Sequence, residues 1–340
     1  GVMKKSNNPL LYPLSWLYGL GVGLRNFLFN QGILKQQSYP IPLICVGNIT
    51  VGGTGKTPHV ELLISILRKQ YRIAVISRGY KRKSRGLKEV TLTSTAEEVG
   101  DEPKQIKQKY PEVRFVVDGN RRRAMSYLLA LPEEERPEVV LLDDGFQHRY
   151  VHPSFTILLI DAQRELHDDE LLPLGGLREP ATARYRADCI ILTKCPHDMQ
   201  PIKLRIMQRN LNLYAHQEIF FSRIHYQQPR AVRTLLGEEG SPLPKDALVI
   251  ALSGIASPGL FFSYLEERYE LIDQLVYPDH HQFRRKDFTA IGERWKKLCE
   301  QHSGRPVYIV CTEKDAVRFT DRLGELPEEL VKQLYFLPIE

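Results

Sequence analysis

From residue 41 onward the chain alternates short apolar runs with stretches of helical periodicity. Runs of β-type composition fall at 41–46, 72–77, 113–118, 139–143, 156–161 and 189–193. Helical spacing appears between several of them, at 59–70, 96–109 and 122–131. Strands that are apolar throughout rather than alternating are strands covered on both faces. The alternation therefore predicts an α/β fold, a mainly parallel sheet with helices on both faces, with ligands at the carboxyl ends of its strands. A polar helical stretch at 201–217 leads to two β-type runs, 218–226 and 247–252, around a Pro- and Gly-rich interval from Pro229 to Pro244. A domain boundary is placed there. The alternation then resumes on a smaller scale, with β-type runs at 271–276, 306–311 and 330–337.

The segment before this alternation has a different pattern. Leu10, Leu14, Leu17, Leu24 and Leu28 share one face of a helix. Pro13, Gly19, Gly21, Gly23 and Arg25 interrupt it too often for a bilayer span. It also lacks the unbroken apolar core and small-residue cleavage site of a secretory signal. Trp16, Tyr18 and Phe27, with Lys4, Lys5 and Lys35 around them, suit a helix lying in a membrane interface. A helix packed on the protein's own core would carry the same leucines. The expected divisions are 1–36 for this helix region, 37–217 for the first α/β domain, 218–252 for a two-stranded linker, and 253–340 for a smaller α/β domain.

The first strand of the series runs into Val46-Gly-Asn-Ile-Thr-Val-Gly-Gly-Thr-Gly-Lys-Thr57, and a helical stretch follows. Strand, glycine-rich turn, Lys-Thr and helix are the context of a phosphate loop. Gly52, Gly53 and Gly55 let backbone amides of residues 50–57 approach phosphate oxygens. Lys56 reaches the β- and γ-phosphates of ATP, and Thr57 ligates magnesium. Pro58 suits a first helical turn, where no N–H is needed. Thr50 stands where the usual pattern has its first glycine, so this is a variant loop.

Other chemistry follows the remaining strands. Ser77-Arg-Gly-Tyr80 places Arg78 toward the phosphate loop and opens a basic run, 81–85. Gly100-Asp-Glu-Pro103 puts Asp101 and Glu102 at a helix start, as caps or as base and magnesium ligand. Asp118-Gly-Asn-Arg-Arg-Arg123 offers one arginine of its three for a phosphate, the others facing water. Val139-Val-Leu-Leu-Asp-Asp144 ends an apolar strand in carboxylates, the second half of a magnesium-nucleotide site. Asp143 and Asp144 project oppositely if the strand continues through them. Leu172–Pro180 is a loop of Gly and Pro carrying Arg178 and Glu179, suited to substrate handling or a lid. Thr193-Lys194 ends a strand as base-reading loops do, a weak signal. In the smaller domain, Asp279-His-His281 sits in a turn and Thr312-Glu-Lys-Asp315 follows a strand. No third ligand is spaced to make the former a zinc site, so a histidine base or orienting group is the more economical reading.

Composition adds little. The net charge of +6 suits an anionic substrate, a membrane surface or nucleic acid without choosing among them. Five scattered cysteines with no C-x-x-C pair indicate a reducing compartment and no cysteine metal cluster.

Taken together and in order, Gly47-Asn through Thr57-Pro58, Ser77–Tyr80, Gly100–Pro103, Asp143–Gln147, Leu177–Pro180, Gly254-Ile-Ala, Asp279–His281 and Thr312–Val317 resemble the tetraacyldisaccharide 4′-kinases, the lipid A 4′-kinases of Gram-negative bacteria. The resemblance spans nearly the whole chain and accommodates Thr50. It implies transfer of a phosphoryl group from ATP to the 4′-hydroxyl of a tetraacyl glucosamine disaccharide 1-phosphate. It implies Mg2+ held by Thr57 and Asp144 with Glu102 or Asp143. It implies a base formed by Asp101 with His280, His281 being the runner-up. Asn48, Arg78, Arg121, Gln147, His148, Arg178, Glu179 and His281 become substrate-binding candidates. It further implies a larger phosphate-loop domain joined to a smaller one by a two-stranded linker. The partner is then a lipid at the cytoplasmic face of the inner membrane, with no nucleic acid and no obligate protein partner. The competing reading is a phosphate-loop switch ATPase with a membrane-bound partner. That class has a signature lysine where Val51 stands.

Overall fold

The computed structural model describes Ser6 and residues 8–340. The expectations placed on Lys4 and Lys5 lie outside the described residues. The described residues form two compact units, one running up to 94 with 98–224 and the other 95–97 with 225–340.

In the larger unit, eight strands form one sheet among the described residues. They are β1 (Leu43–Gly47), β2 (Ile73–Ser77), β3 (Lys88–Glu89), β4 (Arg114–Val117), β5 (Val139–Asp143), β6 (Phe155–Asp161), β7 (Cys189–Thr193) and β8 (Glu218–Phe221). Their order is β3-β4-β2-β5-β1-β6-β7-β8. All neighbours run parallel except the short edge pair β3–β4. The apolar runs are continuous because both faces are covered. All five residues of β5 are buried, and each fully buried Val or Leu contributes about 1.5–3 kcal/mol. On one face Val60 and Ile64 of α2 (Lys56–Leu67) and Ile106 of α4 (Asp101–Lys109) fill the core. On the other, Met125 and Leu128 of α5 (Arg121–Leu129) and Met207 and Leu211 of α6 (Pro201–Leu211) do so. The helical stretch expected at 96–109 is broken into α3 (Ala96–Val99) and α4 by Gly100, whose φ of +98° suits glycine alone. Because β5 and β6 flank β1, the chain crosses to the other side of the sheet there, leaving a crevice at the carboxyl end of β1.

The N-terminal helix α1 (Leu11–Asn30) lies on this unit with its more polar stripe inward. Ser15 Oγ donates to the Leu171 carbonyl at 2.9 Å, Tyr18 Oη to the Arg178 carbonyl at 2.8 Å, and Arg25 to the Gln147 carbonyl at 2.7 Å. A side chain on Gly19 would meet Leu171 at 2.9 Å. Phe29 is the apolar anchor of the stripe, edge-on to Tyr150. The leucine face points outward: Trp16 is 70% exposed and Leu20 71%, with Leu10, Leu14, Leu17, Leu24 and Phe27 also exposed and Leu28 half-buried. Among the described residues no helix is long and apolar enough to cross a membrane.

The smaller unit has β9 (Arg230–Ala231), β10 (Leu248–Ser253), β11 (Glu270–Val276), β12 (Val307–Thr312) and β13 (Leu334–Leu337) in the order β11-β10-β12-β13-β9. Only β9 is antiparallel to its neighbour among these described strands. α7 (Gly259–Arg268) covers one face through Phe261 and Leu265. Phe288, Ile291, Trp295 and Leu298 of α8 (Arg285–Gln301) and Phe319 of α9 (Glu313–Thr320) fill the other. The interval 218–252 divides between the units: β8 closes the larger sheet and β10 is inside the smaller one. A two-stranded pairing does form, between residues 225–227 and 338–340. The run at 330–337 also divides, into α10 (Glu328–Lys332) and β13.

Candidate functional site

The site begins where β1 ends. Val46 pairs with Asp143, so the turn after β1 and the end of β5 lie side by side. Gly47 has no room for a side chain, since a Cβ would sit 2.6 Å from Phe146 Cβ. Asn48 is fully buried and its amide donates to Thr54 Oγ1 at 2.8 Å, spanning the base of the loop. Gly52 and Gly55 take φ of +100° and +85°, which glycine adopts without strain.

The loop's carbonyls are tied down from outside. Val51 O accepts from Arg164 Nη1 at 2.8 Å, Gly53 O from Lys194 Nζ at 2.5 Å, and Thr54 O from Thr193 Oγ1 at 2.7 Å. Gly55 O meets His59 Nδ1 at 2.6 Å. Burial lowers the His59 pKa, which favours the neutral ring that donates from this nitrogen. A trans peptide sets each N–H antiparallel to the preceding C=O. Anchoring these carbonyls turns the amides of Gly52, Thr54, Gly55 and Lys56 away from their anchors. Those are the groups a phosphate chain needs, at the start of α2, whose dipole favours an anion.

Lys56 Nζ lies 3.2 Å from Asp144 Oδ1, and Arg178 Nη1 lies 3.4 Å from the same oxygen. Burial raises the Asp144 pKa, but Lys56 and Arg178 outweigh it and hold the carboxyl below its ordinary range. The strand does not continue through the pair: Asp143 ends β5, and Asp144 turns off at φ +56°. Asp143 faces inward. Burial, only partly offset by Lys56 and reinforced by Asp144 and Glu102, pushes it up to about 7. Its Oδ1 has no hydrogen-bond partner among the described residues. Asn48 Oδ1, Arg121 Nε and His148 Nε2 are likewise buried without one, and each belongs to a residue just beyond the carboxyl end of β1, β4 or β5. Unmatched buried polar atoms are rare and call for a partner. Arg121 is buried with Nη1 on the Gly119 carbonyl at 2.9 Å. Burial, with Arg121, Arg25 and Arg122 adding to it, lowers His148 to about 4, so its ring is neutral near pH 7.

Some candidates turn out to be internal supports. Glu179 is 2% exposed. Arg186 grips it with two bonds of 2.9 Å, and the amides of Asn26 and Gln147 add bonds of 3.0 and 3.1 Å. The Gln147 amide also donates to the Asn48 carbonyl at 2.7 Å. Glu179, Gln147 and Asn48, three of the substrate-binding candidates, thus connect α1 to the root of the loop. Arg78 is exposed. The Leu172–Pro180 segment, expected to suit a lid or substrate handling, braces the phosphate loop: Thr50 bridges to Leu177, and the Arg178 amide donates to the Ile49 carbonyl at 2.7 Å. Asp101 and Glu102 occupy the first turn of α4, half-buried.

In the smaller unit, the two adjacent histidines differ. His281 Nε2 lies 3.1 Å from Asp287 Oδ2, which also caps α8, and the ring stacks on Tyr277 at 5.0 Å. His280 takes a φ of +54° and lies 3.4 Å from Lys314 Nζ, with Asp279 Oδ2 3.7 Å from its Nε2. The Thr312–Asp315 motif is a knot. Buried Asp315 accepts from Gly254 N at 2.8 Å, Thr312 Oγ1 at 2.7 Å and Arg318 at 2.9 Å.

Sequence reasoning missed Arg164, Asp169, His59 and Lys314 and gave Lys194 only a weak signal. Arg164 and Lys194 do follow strand ends, the rule that found the rest.

Three comparisons give the relatives of this chain. The family described as tetraacyldisaccharide-1-P 4′-kinase (LpxK) matches residues 7–340. The tetraacyldisaccharide 4′-kinase of Porphyromonas gingivalis is 49% identical over 333 residues, 98% of this chain and 92% of that protein. That of Parabacteroides distasonis is 47% identical over 339 residues, covering 98% and 89%. The crystal structure of LpxK from Aquifex aeolicus in complex with ATP superposes with a TM-score of 0.71 at 28% identity, covering 96% of this chain and 92% of that one.

Proposed function

The chain belongs to the tetraacyldisaccharide-1-P 4′-kinase family, and from that premise we propose how its residues divide the work of an ATP-dependent lipid A 4′-kinase. The carrying observation is the phosphate loop, whose carbonyls are anchored outward while Lys56 waits beside Asp144. The amides from Gly52 to Lys56 and the Lys56 ammonium hold the β- and γ-phosphates. Phosphoryl transfer demands little covalent chemistry of the protein, so positioning and charge neutralisation supply most of the rate.

The donor set fits magnesium. Asp143 offers a buried carboxylate oxygen with no hydrogen-bond partner among the described residues, and Thr57 offers a hydroxyl at the start of α2. Thr57 and Asp143, with Glu102 beside them, would hold the ion, whereas Asp144 already serves Lys56 and Arg178. When bound, the metal neutralises charge on the β- and γ-phosphates.

Asp101 and His280 take the proton of the 4′-hydroxyl. Its oxygen bonds to the γ-phosphorus as the bond to the ADP oxygen breaks. His280 is taken as the histidine of this pair, with His281, which meets Asp287 and stacks on Tyr277, as the runner-up. Arg121 and Arg178 would take phosphates of ATP or acceptor. The outward leucine face of α1 rests in the lipid headgroup region of the cytoplasmic leaflet, where the acyl chains of the acceptor are anchored. The test is transfer of radiolabelled γ-phosphate to a panel of acceptors in detergent micelles. The acylated disaccharide 1-phosphate should be labelled and its deacylated counterpart poorly labelled. Equal labelling of both would sink the membrane-surface part of the reading.

A further inference from the structure

The phosphate loop does not set its own shape. Gly52 has the conformational freedom of glycine, and its amide orientation follows from the peptide it shares with Val51. Val51 is held on both sides. Its own N–H, in the peptide with Thr50, donates to the Gly176 carbonyl at 2.8 Å, and its C=O, in the peptide with Gly52, accepts from Arg164 Nη1 at 2.8 Å. Arg164 is held in turn: Nη2 meets Asp169 Oδ2 at 2.8 Å, and the pair is mostly buried, with side chains 16% and 8% exposed. The other oxygen of Asp169 accepts the amides of Glu170 at 2.8 Å and Gly176 at 2.9 Å. The same two side chains therefore fix both the loop and the segment that pairs with it. The sequence makes room for this. A Cβ on Gly176 would land on the Arg164 guanidinium, and one on Gly175 would run into Asp169 and the Glu170 carbonyl.

We propose that Arg164, held by Asp169, is a positioning residue for phosphoryl transfer: it turns the Gly52 amide toward the terminal phosphates of ATP without itself touching the nucleotide. Both terminal guanidinium nitrogens already serve protein acceptors, so the residue acts through the loop. The two jobs lie in two directions, which a planar guanidinium can do at once and a lysine cannot. The inference rests on the loop binding ATP as proposed above.

The test uses the full chain with R164M, R164K and D169N, measuring kcat and KM for ATP and for the acylated acceptor, with melting temperature alongside. R164M should lower kcat about 10–100-fold, short of the about 10²–10³ for losing one preorganised donor outright because the Gly52 amide stays in place but is no longer aimed, and raise KM for ATP while leaving KM for the acceptor unchanged. R164K should recover part of this loss. D169N should lower kcat in the same direction, and R164M/D169N should be no worse than R164M alone. Should R164M fail to fold, R164K carries the expectation at about a tenth of wild-type kcat or somewhat above. A purely structural pair would lower the melting temperature and leave kcat and KM per folded molecule at wild type, and that result overturns the proposal alone. A wild-type protein unable to transfer phosphate from ATP overturns the reading beneath it as well. Additive losses in the double variant overturn the role given to Asp169.

Discussion

Asp143→Asn isolates the most perturbed carboxyl of the site. Its folded value of about 7 lies above the ordinary 3.8, chiefly through burial. A raised carboxyl favours the protonated folded state, so the stability it lends is complete below about pH 4 and is lost as pH rises through about 7. Integrating proton binding between pH 5 and pH 8 gives a loss of about 2.5 kcal/mol in the ligand-free protein. Asparagine is nearly isosteric with the protonated acid and does not titrate. Groups that do not act on Asp143 cancel in the comparison of wild type with D143N. In chelator, D143N should melt above wild type at both values, and the gap should widen by about 5–10 °C between pH 5 and pH 8, the shift expected for a unit of this size. Magnesium with ATP should then close the gap, stabilising wild type at pH 8 far more than D143N, because a metal ligand must be ionised. A gap that is constant with pH, or larger at pH 5, would refute the burial argument. Equal stabilisation of both by the metal nucleotide would refute the ligand assignment.

Lys56→Met should cut kcat/KM about a thousandfold, since a cation about 4 Å from a phosphate charge near a protein surface is worth about 4 kcal/mol. Its melting temperature should move little, by about 1 kcal/mol in stability, because the Lys56 side chain is partly exposed and Arg178 still faces Asp144. Near-normal turnover would remove the loop from the mechanism. Leu17→Glu with Leu20→Glu should abolish co-sedimentation with vesicles containing anionic phospholipid yet preserve the fold, since both side chains already face outward. Undiminished sedimentation would show that α1 does not meet lipid. Asp315→Ala should destabilise the smaller unit by about 3–5 kcal/mol, because it strands a buried Arg318. Denaturant melts followed through Trp295 fluorescence would read this, and a change below about 1 kcal/mol would contradict it.

Elements were legible where burial is two-sided. β5 reads as an unbroken apolar run because helices cover both its faces, and the phosphate loop carries its own punctuation. Two-residue edges such as β3 and β9 have too few positions to show a period. The 330–337 run hid a helix turn because Leu330 and Val331 face the core as strand residues would. The leucine face of α1 was legible as a face, but its direction was not, since polar side chains on the opposite stripe satisfy their partners only in the fold. The same holds for Glu179 and Arg164. An Arg-Glu dipeptide in a glycine-rich loop and an arginine after a strand gain their roles from partners far along the chain. Asp143 and Asp144 were legible as a pair, and only the turn at Asp144 separates a buried acid from an ion-paired one.

The most direct test of the account is a double-mutant cycle on Asp101 and His280, read as kcat with ATP and the acylated disaccharide 1-phosphate. On the proposed reading the two residues serve one proton transfer, so each alanine variant should lower kcat by about 10²–10⁴ with little change in ATP affinity, and the double variant should be scarcely slower than the worse single one. Additive losses, or a collapse of ATP binding in either single variant, would contradict it.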